Sequence, residues 1–277
     1  MKMSGLCFRL LVSLLPVILF LLSPPAAHSQ EAPVIVYGDS RHSHDVHRTI
    51  VSAITAENPS AVFHTGDYVT DPGREDQWNT FFEIIAPLNN TTSFYPARGN
   101  HDGGGTSFAS RFSLPGGVTW YAADVSDMRF LVLDSNASLS PTSPQYRWLT
   151  DELSSADARY LCVVLHHPIY NSTAGGHVED EKKLIPSIEG ILIDSGVDLV
   201  FSGHVHAYER LEKSGVIYVI SGGGGAGLYR QVERSNCSAV YEMKHHYVRI
   251  FHKDDGLVVE AVALDGSVID SFTVDGD

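Results

Sequence analysis

The chain has 277 residues, 43% hydrophobic and 19% charged, with 24 Gly and 13 Pro. This globular composition excludes a disordered, collagenous or disulfide-framework protein. Nineteen basic residues against 33 acidic ones give a formal charge of −14, a surface that repels nucleic acid and anionic membranes and argues against a general phosphate-backbone binder. Fourteen histidines stand out, because imidazole is the commonest metal ligand.

Residues 1–29 read as a secretory signal peptide, and residues 30–277 as one domain. Lys2 and Arg9 make a positive start, Leu10–Leu22 is an apolar run of 13 residues, and Ala27-His28-Ser29 is a small-residue pattern with cleavage expected before Gln30. The run is short of the roughly 20 residues a membrane span takes. Cleavage is therefore preferred over an uncleaved anchor, and a secreted or periplasmic chain with no stable membrane anchor is expected. Losing Lys2 and Arg9 from the 19 basic residues leaves 17 against 33 acidic, a net charge of −16. Of the remaining cysteines, Cys162 reads as a small core residue and Cys237 as a loop residue. A disulfide between them is open in an oxidising compartment, and neither has metal-site spacing.

Down the chain the pattern repeats as strand, polar loop, helix. Val34–Tyr37 is a strand ending in Gly38-Asp39, and Asp45–Glu57 has helical spacing at Val46, Ile50 and Ile54, with Asp45 as a cap. Ala61–His64 is a strand before Gly66-Asp67, Asp76–Ile85 a helix, and Phe94–Ala97 a strand before Gly99-Asn100-His101-Asp102. Trp120–Val125 and Met128–Asp134 form a hairpin, and Pro144–Leu153 a helix. Strand Tyr160–Leu165 leads into His166, helix 181–194 follows, and strand Asp198–Phe201 precedes Gly203-His204-Val205-His206. After Gly222–Gly225 come strands Tyr247–His252, Gly256–Leu264 and Val268–Val274. The first two-thirds is thus βαβ-like and the last third β-rich. That predicts an α/β fold of two packed mixed sheets flanked by helices in a single domain.

Five strand ends each deliver Asp, Asn or His, mostly beside Gly. Ligands of α/β sheets bind outside the carboxyl ends of strands, and a mixed oxygen and nitrogen set suits Zn, Mn or Fe. Singly, each residue has a plainer reading: Asp39 and Asp67 as helix caps, Asn100 in a left-handed turn, His204 and His206 as loop residues. Together, at five strand ends, they point to a metal site. His64 reads as a core or orienting histidine, and His167 as either a pocket or a packing residue. His177 reads as exposed, His245 and His246 as structural and His252 as strand surface. Gly222–Gly225 reads as close backbone packing rather than a phosphate cradle, since no Lys-Ser/Thr follows. Tyr208, Glu209 and Arg210 read as loop-fixing, and Trp78 and Trp148 as core. Asn89, Asn90, Asn136, Asn171 and Asn236 head Asn-x-Ser/Thr sequons, with Asn171 expected at the pocket edge.

The order Gly-Asp, Gly-Asp, Gly-Asn-His, His-x-Pro, Gly-His-x-His resembles the calcineurin-like metallophosphoesterases. Gly203-His-Val-His-Ala-Tyr-Glu-Arg210 with Leu165-His-His-Pro-Ile-Tyr-Asn-Ser172 is most similar to their purple acid phosphatase branch. The resemblance implies that residues 30–277 form a catalytic domain with two metal ions (Fe, Zn or Mn). It implies Asp67 as the bridging carboxylate, Asp39 and His206 on the first ion, and Asn100, His166 and His204 on the second. It also implies attack by a metal-bound hydroxide on a small phosphate ester, with His101 as general acid or phosphate contact. The chain departs from the family at the first ion. Arg41 stands where many members have the His of Asp-x-His, and Thr70 stands where purple acid phosphatases have Tyr. Tyr68 would point elsewhere. Water, His42 or His44 are the alternatives for the missing ligand, the first ion becomes more labile, and a purple colour is not expected. Arg41, whose planar fork matches phosphate oxygens, is a candidate substrate contact. The rival function is a metal- and phosphate-binding homologue without catalysis.

Overall fold

A computed structural model of the chain describes residues 32–89, 92–173, 182–253 and 256–276. The signal reading of 1–29, Asn90, His177 and the Asp254-Asp255 turn fall outside the described residues.

Strand β1 (Val34–Tyr37) is buried along its whole length, as a near-continuous apolar run requires when both sheet faces are covered. Its alternate side chains divide between two cores. Val34 and Val36 face a second sheet, while Ile35 and Tyr37 pack under helices. Strands β2 (Ala61–His64) and β3 (Ser93–Pro96) continue parallel to β1. On the other side run β11 (His246–Lys253), β12 (Gly256–Ala263) and β13 (Val268–Asp275), giving the order β13-β12-β11-β1-β2-β3. Helices α1 (His44–Ala56), α2 (Glu75–Asn89) and α3 (Gly105–Arg111) cover its outer face.

The second sheet has the order β10-β8-β9-β7-β6-β5-β4. Its strands are β4 (Tyr121–Val125), β5 (Met128–Val132), β6 (Tyr160–Val164), β7 (Leu199–Ser202), β8 (Tyr208–Lys213), β9 (Val216–Ser221) and β10 (Ser238–Glu242). Helix α4 (Pro144–Ser155) and α5 (Gly190–Asp194), entered from a π-helical turn at Ile185–Glu189, cover its outer face through Leu149, Leu153, Ile188 and Leu192. The apolar layer between the sheets runs from Val36 and Phe63 to Phe130, Cys162, Phe201 and Val259. Two mixed sheets flanked by helices are therefore observed, as expected.

Three local differences have physical reasons. Strands β8 and β9 form an unforeseen hairpin, because Tyr208–Lys213 is charged and lacks an apolar run. The turn is made by Ser214 and Gly215 with φ of 53° and 86°, the primed geometry that matches strand twist. Asp45 sits inside the first turn of α1, behind Ser43, where its charge still favours the helix start. Cys162 lies between the sheets whereas Cys237 packs on the opposite face. Both thiols are free, so the disulfide left open by the sequence does not form.

Candidate metal centre

The carboxyl ends of β1, β2, β3, β6 and β7 meet on one rim of the sandwich. Asp39 N–H donates to Gly66 C=O at 2.9 Å, and Gly203 N–H to His166 C=O at 3.0 Å. His204 N–H then donates to Asp39 Oδ2 at 2.9 Å, joining the two sheets. Asp39, Asp67 and His204 have φ of 56°, 63° and 67°, a region that few non-glycine residues occupy. Strain of this kind collects at functional sites and is held by the surrounding structure. At Gly99 a Cβ would fall 2.3 Å from Asp67 N, and at Gly222 2.2 Å from Val205 C=O. The loops can close this tightly only without side chains there, which is the packing role expected of the 222–225 run.

One half of the site is crowded with electron pairs. His166 is buried, and its Nδ1–H donates to Thr65 C=O at 2.9 Å. The bare Nε2 then lies 2.9 Å from Asn100 Oδ1, 3.4 Å from Asp67 Oδ1 and 3.2 Å from His204 Nδ1. The Asn and Asp oxygens are acceptors, so neither brings a proton to that nitrogen. Burial holds the His166 pKa down at about 3, so the ring stays neutral as a ligand must. Lone pairs gathered around one point fit a bound cation, and this donor set suits Zn, Mn or Fe. Asp39, Asp67 and His166 bring ligand atoms within 4.8 Å of one another, as do His166, His167 and His204.

The other half contains its own cation. Arg41 Nε lies 3.1 Å from Asp67 Oδ2, with the arginine side chain 10% exposed and the aspartate buried. Its Nη2 lies 3.4 Å from His206 Nε2. That ring is fixed by Nδ1–H donating to Gly227 C=O at 2.7 Å and is stacked on Tyr229 at 4.2 Å. Asp39 Oδ1 sits 3.5 Å from His206 Nε2 and has no hydrogen bond among the described residues. His42 and His44, the alternatives for the missing ligand, are exposed. They line the rim of a cavity of about 230 Å³ with Arg41, Tyr68, Val69, Thr70 and Gln77. The His42 pKa is lowered, first by partial burial and then by Arg41.

With this geometry, the comparisons with known proteins decide the family. Residues 32–208 match the calcineurin-like phosphoesterase family. The chain belongs to that family. Purple acid phosphatase 18 of Arabidopsis thaliana is 31% identical over 176 residues, covering 54% of this chain and 40% of its own. Purple acid phosphatase 1 of Ipomoea batatas is 31% identical over 209 residues, covering 66% and 44%. Probable inactive purple acid phosphatase 1 of A. thaliana is 28% identical over 265 residues, covering 78% and 43%. The chain thus spans less than half the length of these three relatives. The structure of a purple acid phosphatase from yellow lupin (Lupinus luteus) seeds has the same fold. Its TM-score is 0.78 at 23% identity, over 88% of this chain and 54% of that one.

Several residues of this calcineurin-like site support others. Asp102, which the sequence reading passed over, is buried and accepts from Asp67 N–H at 2.9 Å, Tyr68 N–H at 2.9 Å and Gly99 N–H at 2.6 Å. It ties two motif loops together. Burial and the Asp67 charge push its pKa up to about 8, against the pull of those three N–H groups. Its position two residues beyond Asn100 was the available signal. His64 accepts from Gly66 N–H at 3.1 Å through Nδ1 and faces Ser40 Oγ at 3.1 Å through Nε2, the orienting role expected. His101 N–H donates to Asp67 Oδ1 at 3.0 Å, and its Nδ1–H meets Thr70 C=O at 3.1 Å. His167 contacts Ser135 Oγ at 2.8 Å and packs its ring 4.5 Å from His204.

Tyr68 points away, its hydroxyl donating to Ala97 C=O at 2.9 Å, so neither it nor Thr70 replaces the missing tyrosine. Glu209 binds Ser172, and Tyr208 and Arg210 bind Asp270, so this trio fixes loop and sheet as expected. His246 is buried at the start of β11, and His252 meets Asp127 at 2.7 Å. Trp78 is buried, and Trp148 packs partly buried on the outer layer. Asn171 is buried and accepts from Thr173 N–H at 2.9 Å. Among the described residues no helix is long and apolar enough to cross a membrane.

Proposed function

We propose that the chain is a metal-dependent hydrolase of small phosphate esters, of the purple acid phosphatase type. The crowding of acceptor atoms around His166 Nε2 carries this reading. Asn100, His166 and His204, with Asp67, are the residues to hold one ion. Asp39 and His206, with Asp67, stand where the family implies a second ion. Bound metal supplies Lewis-acid charge for a phosphoryl oxygen and lowers the pKa of water towards about 7.

The chain's own groups do the rest. Asp67 holds the His101 backbone, and Thr70 C=O accepts from Nδ1–H. A protonated His101 then presents Nε2–H to the leaving oxygen. As a water oxygen bonds to phosphorus and gives up its proton to solvent, the ester P–O bond breaks and the leaving oxygen takes the Nε2 proton, assistance typically worth about 10²–10⁴ in rate. The cavity of about 230 Å³ beside Arg41 accommodates a small leaving group. The strongly acidic surface disfavours polynucleotide substrates.

The test is hydrolysis of p-nitrophenyl phosphate and bis(p-nitrophenyl) phosphate with Zn²⁺, Mn²⁺ or Fe³⁺ supplied. Turnover of either, lost in Asn100→Ala, is expected. Metal and phosphate binding without turnover would instead support the non-catalytic homologue, a reading that Arg41 at the first ion's place favours. The signal reading of 1–29 supports a secreted or periplasmic chain, and a mature N-terminus at Gln30 is its check.

A further inference from the structure

We infer that this chain holds one metal ion rather than two, and that the Arg41 guanidinium is the fixed cation of the other half. The inference rests on the metal-dependent reading above and refines it.

The electron pairs available at the first ion's place are those of Asp39 Oδ1, Asp67 Oδ2 and His206 Nε2. Arg41 already faces two of the three, through Nε at 3.1 Å and Nη2 at 3.4 Å. The first contact is an ion pair without a hydrogen bond and the second a hydrogen bond. A guanidinium this close to both atoms stands where a metal ion would have to sit, so the two cations compete for the same place. The guanidinium is well placed to win. It is charged at every accessible pH, and its side chain is only 10% exposed. It is joined by the chain to Asp39, two residues before it, so its local concentration does not depend on metal supply. The ligands that would tip the balance toward a metal are missing. Residue 41 brings a charge of the wrong sign for a ligand, residue 70 is Thr, and Tyr68 is committed to Ala97 C=O. At the second cluster, by contrast, His166 Nε2 faces Asn100 Oδ1 at 2.9 Å, Asp67 Oδ1 at 3.4 Å and His204 Nδ1 at 3.2 Å. That half still requires an ion. The result is a hybrid centre in which one positive charge comes from solution and the other is built into the sequence. Arg41 supplies at the first position the fixed charge that a second ion would bring to a phosphoryl oxygen.

The test uses the whole protein, stripped with chelator and reloaded with Mn²⁺ alone. Metal content per chain is measured by mass spectrometry and spin coupling by electron paramagnetic resonance. Wild type is expected to bind one ion and show the hyperfine pattern of isolated Mn²⁺. Arg41→His, which removes the competing cation and restores an imidazole, is expected to bind two ions and show an exchange-coupled spectrum. Two coupled ions in wild type would overturn the inference, as would an Arg41→His protein that folds and stays at one ion. If that variant does not fold, the wild-type spectrum alone decides. A wild type that binds no Mn²⁺, Zn²⁺ or Fe³⁺ would overturn the metal-dependent reading itself.

Discussion

The two halves of the site are built from the same material and solve the same problem differently. Each is a set of Asp, His or Asn side chains delivered by strand ends and rich in electron pairs. Around His166 the Asn100 and Asp67 oxygens converge on one buried ring nitrogen. Around His206 and Asp67 the electron pairs converge on Arg41. Buried charge must be compensated, but the compensating ion need not come from solution. A single residue, at position 41, decides which solution a strand end adopts.

Breaking the open half should have the largest effect. His166→Ala removes the nitrogen on which the others converge, and is expected to weaken metal binding by at least about 100-fold, since even supporting residues of metal sites cost 10–100-fold. Chelator competition measures the affinity, and loss of p-nitrophenyl phosphate hydrolysis should accompany it. Retained metal affinity would move the centre elsewhere. Breaking the closed half should do the opposite. Arg41→Ala in metal-free protein leaves Asp67 Oδ2 buried and unpaired, which costs about 3–5 kcal/mol when one partner of a buried pair is removed. Urea unfolding of the stripped protein should show that loss, and added metal should recover part of it. The same addition should raise wild-type stability as well, by about 2.7 kcal/mol at metal concentrations 100 times Kd.

Asp102 lies beneath both halves, so it sharpens the contrast by failing to discriminate. Asp102→Asn keeps the shape but sets an amide N–H₂ against at least one of three backbone N–H donors. A buried group left unsatisfied costs about 1–3 kcal/mol. Melting temperature should fall with and without metal alike. A loss seen only in the metal-loaded protein would show that Asp102 acts on one half alone.

Much of this was legible in the sequence because the physics was local. Buried parallel strands read as unbroken apolar runs such as Val34–Tyr37, and each must end where the backbone meets solvent, so the polar residues that follow mark the rim. The same reasoning puts Asp39, Asp67, Asn100, His166, His204 and His206 just past strand ends, at that rim. What stayed hidden was tertiary. Position 41 lacks a histidine on inspection, but that Arg41 reaches His206 depends on two strands from different sheets ending side by side. Asp102 reads as an ordinary loop acid, because two of its three partners, the Asp67 and Tyr68 N–H groups, lie 35 and 34 residues away in the chain. Strand β8 was hidden by its own charges, which serve the contacts of Glu209 and Arg210 rather than a solvent face.

The smallest effect expected separates the site's histidines from those of the scaffold. His47 and His246 are not metal candidates, yet burial holds their pKa values at about 3 and about 4. Both are neutral in the folded protein at pH 5, while the unfolded chain takes up a proton on each below about 6.5. The unfolded state therefore binds more protons in this window, and stability falls as pH drops from about 6.5 towards 4. The slope is at most about 1.4 kcal/mol per pH unit for each histidine. His246→Asn keeps a donor for Lys244 C=O at the Nδ1 position, and His47→Gln keeps a polar atom for the Tyr37 hydroxyl at the Nε2 position. Neither amide titrates, so each variant should show a shallower loss between pH 7 and pH 5 in urea unfolding of metal-free protein. Because metal ligands also protonate in acid, wild type loaded with metal should lose stability more steeply than stripped wild type. If the two variants track wild type at every pH, the acid sensitivity belongs to the site and not to the scaffold that carries it.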